Sequence, residues 1–511
     1  MIDISNLVQK IRTSRVYDVT SRTALELMPL LSARLGNSVY IKREDQHEVF
    51  SFKIRGAYNK ISGLSKAQLG EGIIGASAGN HAQGIAVAAK RLGIHAIIVM
   101  PKTTPDIKVD AVRRLGGQVV LHGNTYDDAS SHAKELAANS GAIFIHPYDD
   151  EDVIAGQGTV AKEITEQMDE KPDVVFIPVG GGGLIAGMAA WLKDHDPSIK
   201  VVGVEPDDAP CMYEALKQGE RVILDHVGIF TDGVAVKQVG ELPFEVARQM
   251  VDEVILVSTD EICAAIKDIF DESRSISEPA GALALAGLKK YVTERAPAQQ
   301  VLVTVNSGAN INFDRLRHVA ERAEIGEQKE SIFAVTIPER PGSFHEFCHL
   351  LGNRSITEFN YRYADSHDAH VFAGIQLKEG EEEKRYILQK LNDKQFPVLD
   401  LSTDELAKQH VRYMVGGRSA GLENERLYRF EFPERPGALL RFLSHLRGQW
   451  NISLFHYRNH GSDYGRVLAG FQVPEDELDQ FQGFLDELGY SYGDETNNPA
   501  YQLFLGGIEK S

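Results

Sequence analysis

The most restrictive feature of this sequence is a passage that occurs twice. Ile337-Pro-Glu-Arg-Pro-Gly342 returns 95 residues later as Phe432-Pro-Glu-Arg-Pro-Gly437. Ser355-Ile-Thr-Glu-Phe-Asn-Tyr-Arg362 returns after 96 as Asn451-Ile-Ser-Leu-Phe-His-Tyr-Arg458, and Val371-Phe-Ala-Gly-Ile-Gln-Leu377 after 96 as Val467-Leu-Ala-Gly-Phe-Gln-Val473. Met414-Val-Gly-Gly417 is echoed by Phe504-Leu-Gly-Gly507. Three matches in order at near-constant offset define a duplicated module of about 85–95 residues. Each copy opens with a strand pattern and turns at Pro-Gly into a helix. Two alternating strands, a second helix (384–392 and 475–488) and a last strand follow. That order is βαββαβ, an α+β ferredoxin-like unit. In Phe359-Asn-Tyr-Arg-Tyr363 the aromatics recur at every second residue and share one face, which packing against the helices explains.

Ahead of the repeat the pattern changes. Short β-branched runs at 38–42, 72–75, 96–100, 118–121, 174–178, 200–204, 254–257 and 300–305 alternate with Ala-rich amphipathic stretches such as His81–Leu92 and Asp106–Leu115. This alternation predicts an α/β domain of open, mostly parallel sheets with helices on both faces. Glu321–Glu330 is charged and poor in apolar residues, and reads as a helix end and linker. The expected units are 1–325, 331–417 and 428–511. Three units also suit 511 residues at roughly 150 residues per domain.

Composition excludes several classes. Apolar residues make up 43% and charged residues 25%, values of a globular chain rather than a disordered or fibrous one. The longest apolar run, Gly183–Leu192, is about half of what a membrane span needs, so no membrane role is expected. The net charge of −19 is shared by both parts of the chain. Neither forms a basic lobe, so no nucleic-acid partner is expected. Cys211, Cys263 and Cys348 are odd in number and scattered, which fits neither a disulfide framework nor a metal site. The start, Met1-Ile-Asp-Ile-Ser-Asn6, has no secretory or transit pattern, and cytoplasm is the default expectation.

Four short constellations carry chemistry. In Ser51-Phe-Lys53-Ile-Arg55-Gly-Ala57, Ser51 as N-cap places Lys53 in the first helical turn. There the helix dipole and Arg55 disfavour an ammonium, leaving an amine suited to a Schiff base. Taken alone, an ordinary solvated lysine explains the pattern at least as well. Ser77-Ala78-Gly79-Asn80-His81 lies between a strand and a helix. Free N–H groups there suit a substrate carboxylate, or Asn80 simply caps the helix. Gly180-Gly181-Gly182-Gly183 lets backbone amides approach a phosphate. With Ala186 and Glu205 it also satisfies a dinucleotide fingerprint, and a close-packing turn explains it too. Ser307-Gly-Ala-Asn310 ends another strand, and a turn accounts for it almost as well. Ligands of open α/β sheets gather at such strand ends.

As an ordered set these motifs resemble the fold-type II pyridoxal-phosphate enzymes, specifically the threonine dehydratases, and the duplicated module resembles their paired ACT-like regulatory domain. The resemblance spans nearly the whole chain. It implies pyridoxal 5'-phosphate held by Lys53, with Phe52 against the ring and Asn80 on its phenolic oxygen. Gly180, Gly181, Gly182 and Gly183 would cradle the phosphate, and Ser307 would face the ring nitrogen. Ser77, Ala78, Gly79, Asn80 and His81 would bind threonine. Racemase relatives carry a serine at the position of Ala78, which cannot move a proton. The implied reaction is β-elimination of water from L-threonine to 2-oxobutanoate and ammonia, the first step of isoleucine biosynthesis. The resemblance implies serine as a second substrate. Isoleucine would inhibit through the repeat, with valine opposing it, and Phe359, Tyr361, Phe455 and Tyr457 would line the effector site unless they are core. A homotetramer is implied as well. Two positions depart from the family pattern: Ala24, where Pro is usual, and Ala280, where Ser is usual. A β-replacement enzyme, a non-catalytic amino-acid sensor and a nicotinamide oxidoreductase are the competing readings.

Overall fold

The computed structural model describes residues 2–505 except 229, 298, 353, 364–366, 415, 420–421, 434–437, 447–448 and 459–463. The Pro-Gly turn of the second repeat copy and the echo at Gly506-Gly507 fall outside the described residues. The chain divides into two compact units, Met1–Gly326 and Glu327–Ser511. Among the described residues no helix is long and apolar enough to cross a membrane, and all three cysteines are buried.

The first unit contains two sheets. One runs in the order Leu25–Leu27, Ser38–Arg43, Val301–Asn306, Val174–Pro178, Lys200–Pro206, Glu253–Val257. Its first pair is antiparallel and the rest parallel. The other is parallel throughout, in the order Gln118–Leu121, Ala96–Met100, Ile73–Ala76, Ile143–Phe144. Val174–Pro178 and Val301–Asn306 are buried at every residue, so they read as unbroken apolar runs. Leu25–Leu27 and Ile143–Phe144 are strands of 3 and 2 residues. Runs so short carry no periodicity, which is why the sequence pattern misses them. In the larger sheet Asn306 lies opposite Arg43, and Thr304 opposite Phe176. The carboxyl ends of three strands therefore open on one edge.

Below that edge, helix Lys53–Ser62 crosses helix Glu151–Gln167. The crossing needs glycine: a Cβ on Gly156 would lie 2.7 Å from the Gly56 Cα. The contact brings together charges that are wholly buried. Arg55 Nε donates to Glu44 Oε2 at 2.6 Å and its Nη1 to Glu163 Oε1 at 2.7 Å. Lys42 Nζ donates to Glu163 Oε2 at 2.7 Å and to the Thr23 carbonyl at 2.9 Å. His47 Nε2 lies 2.7 Å from Glu44 Oε2. The two guanidinium bonds and the His47 contact hold the Glu44 carboxyl well below the usual carboxylate range, against the effect of burial.

The second unit is built on one antiparallel sheet. Its order is Val398–Asp400, Glu330–Pro338, Asp368–Gln376, Ile356–Arg362, Asn451–Arg458, Tyr464–Gln472, Glu425–Pro433, Ser491–Asp494. Each copy contributes four neighbouring strands and two helices in βαββαβ order, the helices being Ser343–Leu351 and Gly380–Asp393, then Ala438–Leu446 and Leu478–Leu488. Short helices Glu405–Gln409 and Pro499–Phe504 follow the last strands and exceed the ferredoxin-like plan. At the seam Phe359 faces Tyr457, Asn360 faces His456, and Tyr361 faces Phe455. This is a pseudo-twofold pairing of equivalent residues.

The buried charge cluster generates a stability prediction. Arg55→Met removes one cation and leaves two buried carboxylates short of a partner. The cost is expected to be about 3–5 kcal/mol, read from urea denaturation of the first unit; a loss below about 1 kcal/mol would contradict the account.

Candidate active site

Lys53 is the first residue of its helix. Ser51 does not cap that helix, contrary to expectation. The N-cap position is Phe52, with no side-chain cap bond, and Ser51 forms a β-bridge with Gly308. The Phe52 N–H donates to the Ser307 carbonyl at 3.2 Å. Tertiary pairing thus replaces the local cap. Phe52 is buried, and Lys53 Nζ lies 5.2 Å from its ring centroid. Burial pushes the Lys53 amine down to about 8, while the nearby Glu278 carboxylate opposes the fall. Arg55 does not supply the expected repulsion, because its charge is paired with Glu44 and Glu163. Helix Asn80–Leu92 presses on the same point: a Cβ on Gly84 would lie 3.1 Å from the Lys53 carbonyl oxygen.

The Ser77–His81 segment joins strand Ile73–Ala76 to that helix. Ser77 Oγ accepts from the Gly79 N–H at 3.2 Å, and Ala78 sits part-exposed beside it. Asn80 is not a cap. Its Nδ2 donates to Glu278 Oε1 at 2.6 Å, and its Oδ1 accepts from Asn310 Nδ2 at 2.7 Å. His81 is buried, and its Nε2 donates to the Ile145 carbonyl at 3.0 Å. Its Nδ1 therefore presents a lone pair, and that atom has no partner among the described residues. Burial pushes the ring down to about 3. A neutral imidazole showing a lone pair does not attract a carboxylate. The His81 backbone N–H, in the first helical turn, keeps the anion-binding capacity.

Gly182 takes φ +93 and precedes helix Gly183–His195. A Cβ on Gly180 would lie 2.8 Å from the Val234 Cα, and one on Gly181 would lie 2.3 Å from the Tyr148 ring. Side chains are excluded from this turn, so its backbone is free for close approach by a ligand. Glu205, the acid of the dinucleotide reading, is buried and accepts the Met212 and Tyr213 N–H groups at 2.8 Å each. It is engaged by backbone, and the nicotinamide reading loses its ribose ligand. Ser307 is buried with its Oγ donating to the Ala280 carbonyl at 3.1 Å. At Ala280, one of the two departures, this backbone carbonyl is therefore the group that meets Ser307.

The segments meet through the backbone. The Ala309 N–H reaches the Phe50 carbonyl at 2.9 Å, and the Glu278 N–H reaches the Gly308 carbonyl at 3.1 Å. Ser51 Oγ and Asn306 Nδ2, flanking Lys53 and Ser307 in the chain, are buried without a partner among the described residues. A desolvated amine, a turn that only glycine can form and orphaned polar atoms next to Lys53 and Ser307 in the chain fit pyridoxal phosphate. Glu278 is a site residue that the sequence reading leaves without a role. Its signal was an acid directly ahead of the apolar helix Pro279–Arg295.

In the second unit, Phe359, Tyr361, Phe455 and Tyr457 are all buried in the aromatic core. The Phe359 and Phe455 rings lie 5.3 Å apart, and Phe344 packs on both Phe359 and Tyr361. The Tyr361 hydroxyl donates to Glu339. Core packing therefore accounts for all four. Next to them is a shallow, open cleft lined by Arg340, Pro341, Gly342, Phe344 and His345 of one copy and Leu443, Trp450, Asn451 and Ile452 of the other. A turn meeting a strand start across two copies has no local sequence signal.

Residues 16–308 match the family of pyridoxal-phosphate dependent enzymes, and residues 321–411 and 416–505 each match the C-terminal regulatory domain of threonine dehydratase. The chain is 56% identical to the biosynthetic L-threonine dehydratase of Pasteurella multocida over 98% of this chain and 97% of that one. It is 54% identical to that of Escherichia coli K12 over 96% and 95%. Among solved structures, the processed form of threonine deaminase isoform 2 from Solanum lycopersicum matches with TM-score 0.62 at 50% identity, covering 63% of this chain and 93% of that one. Maize serine racemase matches with TM-score 0.58 at 31% identity, covering 62% and 96%. Fold and site thus define a fold-type II pyridoxal-phosphate enzyme carrying two regulatory modules. Within that class the chain belongs to the biosynthetic threonine dehydratase family.

The glycine turn can be tested directly. Gly180→Ala drives a Cβ into the Val234 backbone, an overpacking of about 1–3 kcal/mol. Absorbance titration of the apoprotein should show pyridoxal phosphate bound at least about tenfold more weakly. Unchanged affinity would remove the turn from the cofactor site.

Proposed function

We propose that this chain deaminates L-threonine, and L-serine as a second substrate, by β-elimination of water; threonine gives 2-oxobutanoate and ammonia. One observation carries the reading: a buried Lys53 amine in the field of Glu278, the carboxylate that holds Asn80, in a chain of the biosynthetic threonine dehydratase family. Bound pyridoxal phosphate supplies an electron sink that acidifies the substrate α-carbon. Lys53 Nζ would be its covalent anchor, and the free Lys53 amine would accept the substrate α-proton as general base. Phe52 would lie against the ring. The remaining Asn80 Nδ2 hydrogen would donate to the ring's phenolic oxygen, and the N–H groups of Gly180–Gly183 would hold the phosphate. Ser307 would face the ring nitrogen with an uncharged hydroxyl, which would leave that nitrogen unprotonated, and the β-hydroxyl would leave with a proton as water. Backbone N–H groups of the Ser77–His81 segment orient the substrate carboxylate. Ala78 has no side-chain proton to deliver to the opposite face, so deamination is favoured over racemisation.

The second unit binds isoleucine as inhibitor, with valine opposing it, by differential affinity for two states of the enzyme. The cleft between the Arg340–Gly342 turn and Trp450–Ile452 suits a branched amino acid, with Phe344, Leu443 and Ile452 as apolar walls and Arg340 and Asn451 as polar ends. The assembly is a cytoplasmic homotetramer, the first enzyme of isoleucine formation. The test is 2-oxobutanoate release from threonine with and without isoleucine. Lys53→Ala should lose at least about a thousandfold in turnover. A chain ending at residue 326 should keep turnover and lose isoleucine inhibition. Wild-type turnover in Lys53→Ala would overturn the chemistry, and inhibition retained in the shortened chain would put the effector site elsewhere.

A further inference from the structure

We propose that Glu278 is a positioning residue of the active site: its carboxylate fixes the Asn80 amide in one orientation and supplies the counter-charge for the proton taken up by Lys53. The inference rests on the general-base reading of Lys53 given above.

The geometry is specific. Glu278 stands at the N-cap position of helix Pro279–Arg295, yet its side chain makes no cap bond. Its backbone N–H is held by the Gly308 carbonyl at 3.1 Å and its carbonyl accepts the Gly281 N–H at 2.8 Å. The buried carboxylate is therefore turned away from its own helix. Space is reserved for it: a Cβ on Gly308 would lie 2.5 Å from Glu278 Oε1. Burying such a group is costly unless it is paired or hydrogen-bonded, and its hydrogen-bond donor is Asn80 Nδ2 at 2.6 Å. Asn310 completes the arrangement. Its Nδ2 donates both to the Val49 carbonyl at 2.8 Å and to Asn80 Oδ1 at 2.7 Å. A flipped Asn80 amide would set NH2 against NH2 on one side and oxygen against carboxylate on the other. The observed orientation is thus enforced from both ends, and one Nδ2 hydrogen of Asn80 remains for a ligand.

Electrostatics point the same way. Lys53 and Lys108 face the carboxylate as cations and Asp232 as an anion, with Lys108 Nζ 2.7 Å from Asp232 Oδ2. Burial and Asp232 push Glu278 up to about 7, against the Asn80 bond and the two lysines. Glu278 is in turn the charge that resists the desolvation of Lys53. A buried acid and a buried amine thus titrate in the same range and are coupled. An ammonium formed on Lys53 in this dry site needs a countercharge, and Glu278 is placed to provide it.

The test uses the full chain. Capture of pyridoxal phosphate by the apoprotein requires the neutral Lys53 amine, so its pH midpoint, read from the absorbance of the bound cofactor, reports the charge on Lys53. Glu278→Gln keeps an acceptor for Asn80 and removes the charge. The capture midpoint should move to lower pH by about half a pH unit or more. Turnover of threonine should fall about tenfold or more with KM within about threefold. Glu278→Asp should bring the midpoint back toward wild type. Two variants on the rim read the same carboxylate without touching the site. Lys108→Ala removes a cation that favours the carboxylate, so the acid limb of kcat/KM should move to higher pH. Asp232→Asn removes a repelling anion, so the limb should move to lower pH. A wild-type midpoint together with wild-type turnover in Glu278→Gln would overturn the proposal, and so would movement of the limb in the same direction in both rim variants. If Glu278→Gln does not fold, Glu278→Ala is read in the same two assays, and a wild-type capture midpoint together with wild-type turnover would overturn the proposal. Failure of the underlying reading has a separate signature, retained turnover in Lys53→Ala.

Discussion

The catalytic unit depends on a cluster of charges that water never reaches. Arg55, Glu44, Glu163 and Lys42 join the end of a sheet strand, the helix that begins at Lys53 and the long helix Glu151–Gln167. Two cations balance two carboxylates, and Thr23, His47 and Gln167 occupy much of the remaining hydrogen-bonding capacity. Such clusters are expensive to desolvate and are retained where position matters more than net stability. Here the position is that of Lys53. Arg55 lies two residues along the same helix, so any rotation of that helix about its axis would break ion pairs in the interior. The glycine contact between Gly56 and Gly156 removes the remaining freedom, because neither helix can slide without a clash. The lysine is held by its neighbours' charges, while its own amine is left without an ion pair to fix it as an ammonium.

The same arrangement explains why the site can be assembled from distant segments. Parallel strands deliver their ends to one edge, and each end there turns into a segment that spends its backbone bonds on another. Ser51 bridges Gly308, Phe52 reaches Ser307, and Glu278 reaches Gly308. These are interactions of an interior sheet edge without side chains in the way, and they account for glycine or small residues at the crossing points. The side chains left over, Asn80, Glu278 and Asn310, then form their own hydrogen-bonded chain across the cleft.

What could be read from sequence follows this division. Strands buried on both faces appear as apolar runs, and a duplicated module appears as a repeat, because both are properties of contiguous residues. Lys53, the run Gly180–Gly183 and Ser307 were visible for the same reason: each lies in a short motif at a strand end or helix start. What was misread depends on a partner elsewhere. Ser51 has the composition of a cap, but its backbone pairs with Gly308. Arg55 looks like a repelling neighbour of Lys53 until Glu44 and Glu163 are seen around it. Asn80 looks like a helix cap until Glu278 and Asn310 are seen to hold its amide. Alternating aromatics at 359–363 and 455–457 read equally as pocket or core, since period alone does not say what faces them, and the rings of Phe344, Phe347 and Phe442 settle the matter for the core.

The regulatory unit shows how a duplicated sequence ceases to be symmetric. Arg362 and Arg458 are equivalent in the repeat, and each crosses the seam to a carboxylate of the other copy: Arg362 to Glu425, Arg458 to Glu358. Those carboxylates are not equivalent. Glu358 occupies the place of Leu454 in the second copy, whereas Glu425 corresponds to Glu330. Glu358 also takes Arg412, from the segment that follows the last strand of the first copy. The pair Asn360–His456 sits on the pseudo-axis with unlike side chains. A sheet joined by an antiparallel seam tends to treat its halves alike, and buried ion pairs are the costliest contacts to rearrange. Unequal pairs on the two sides therefore give the halves unequal resistance to the same displacement.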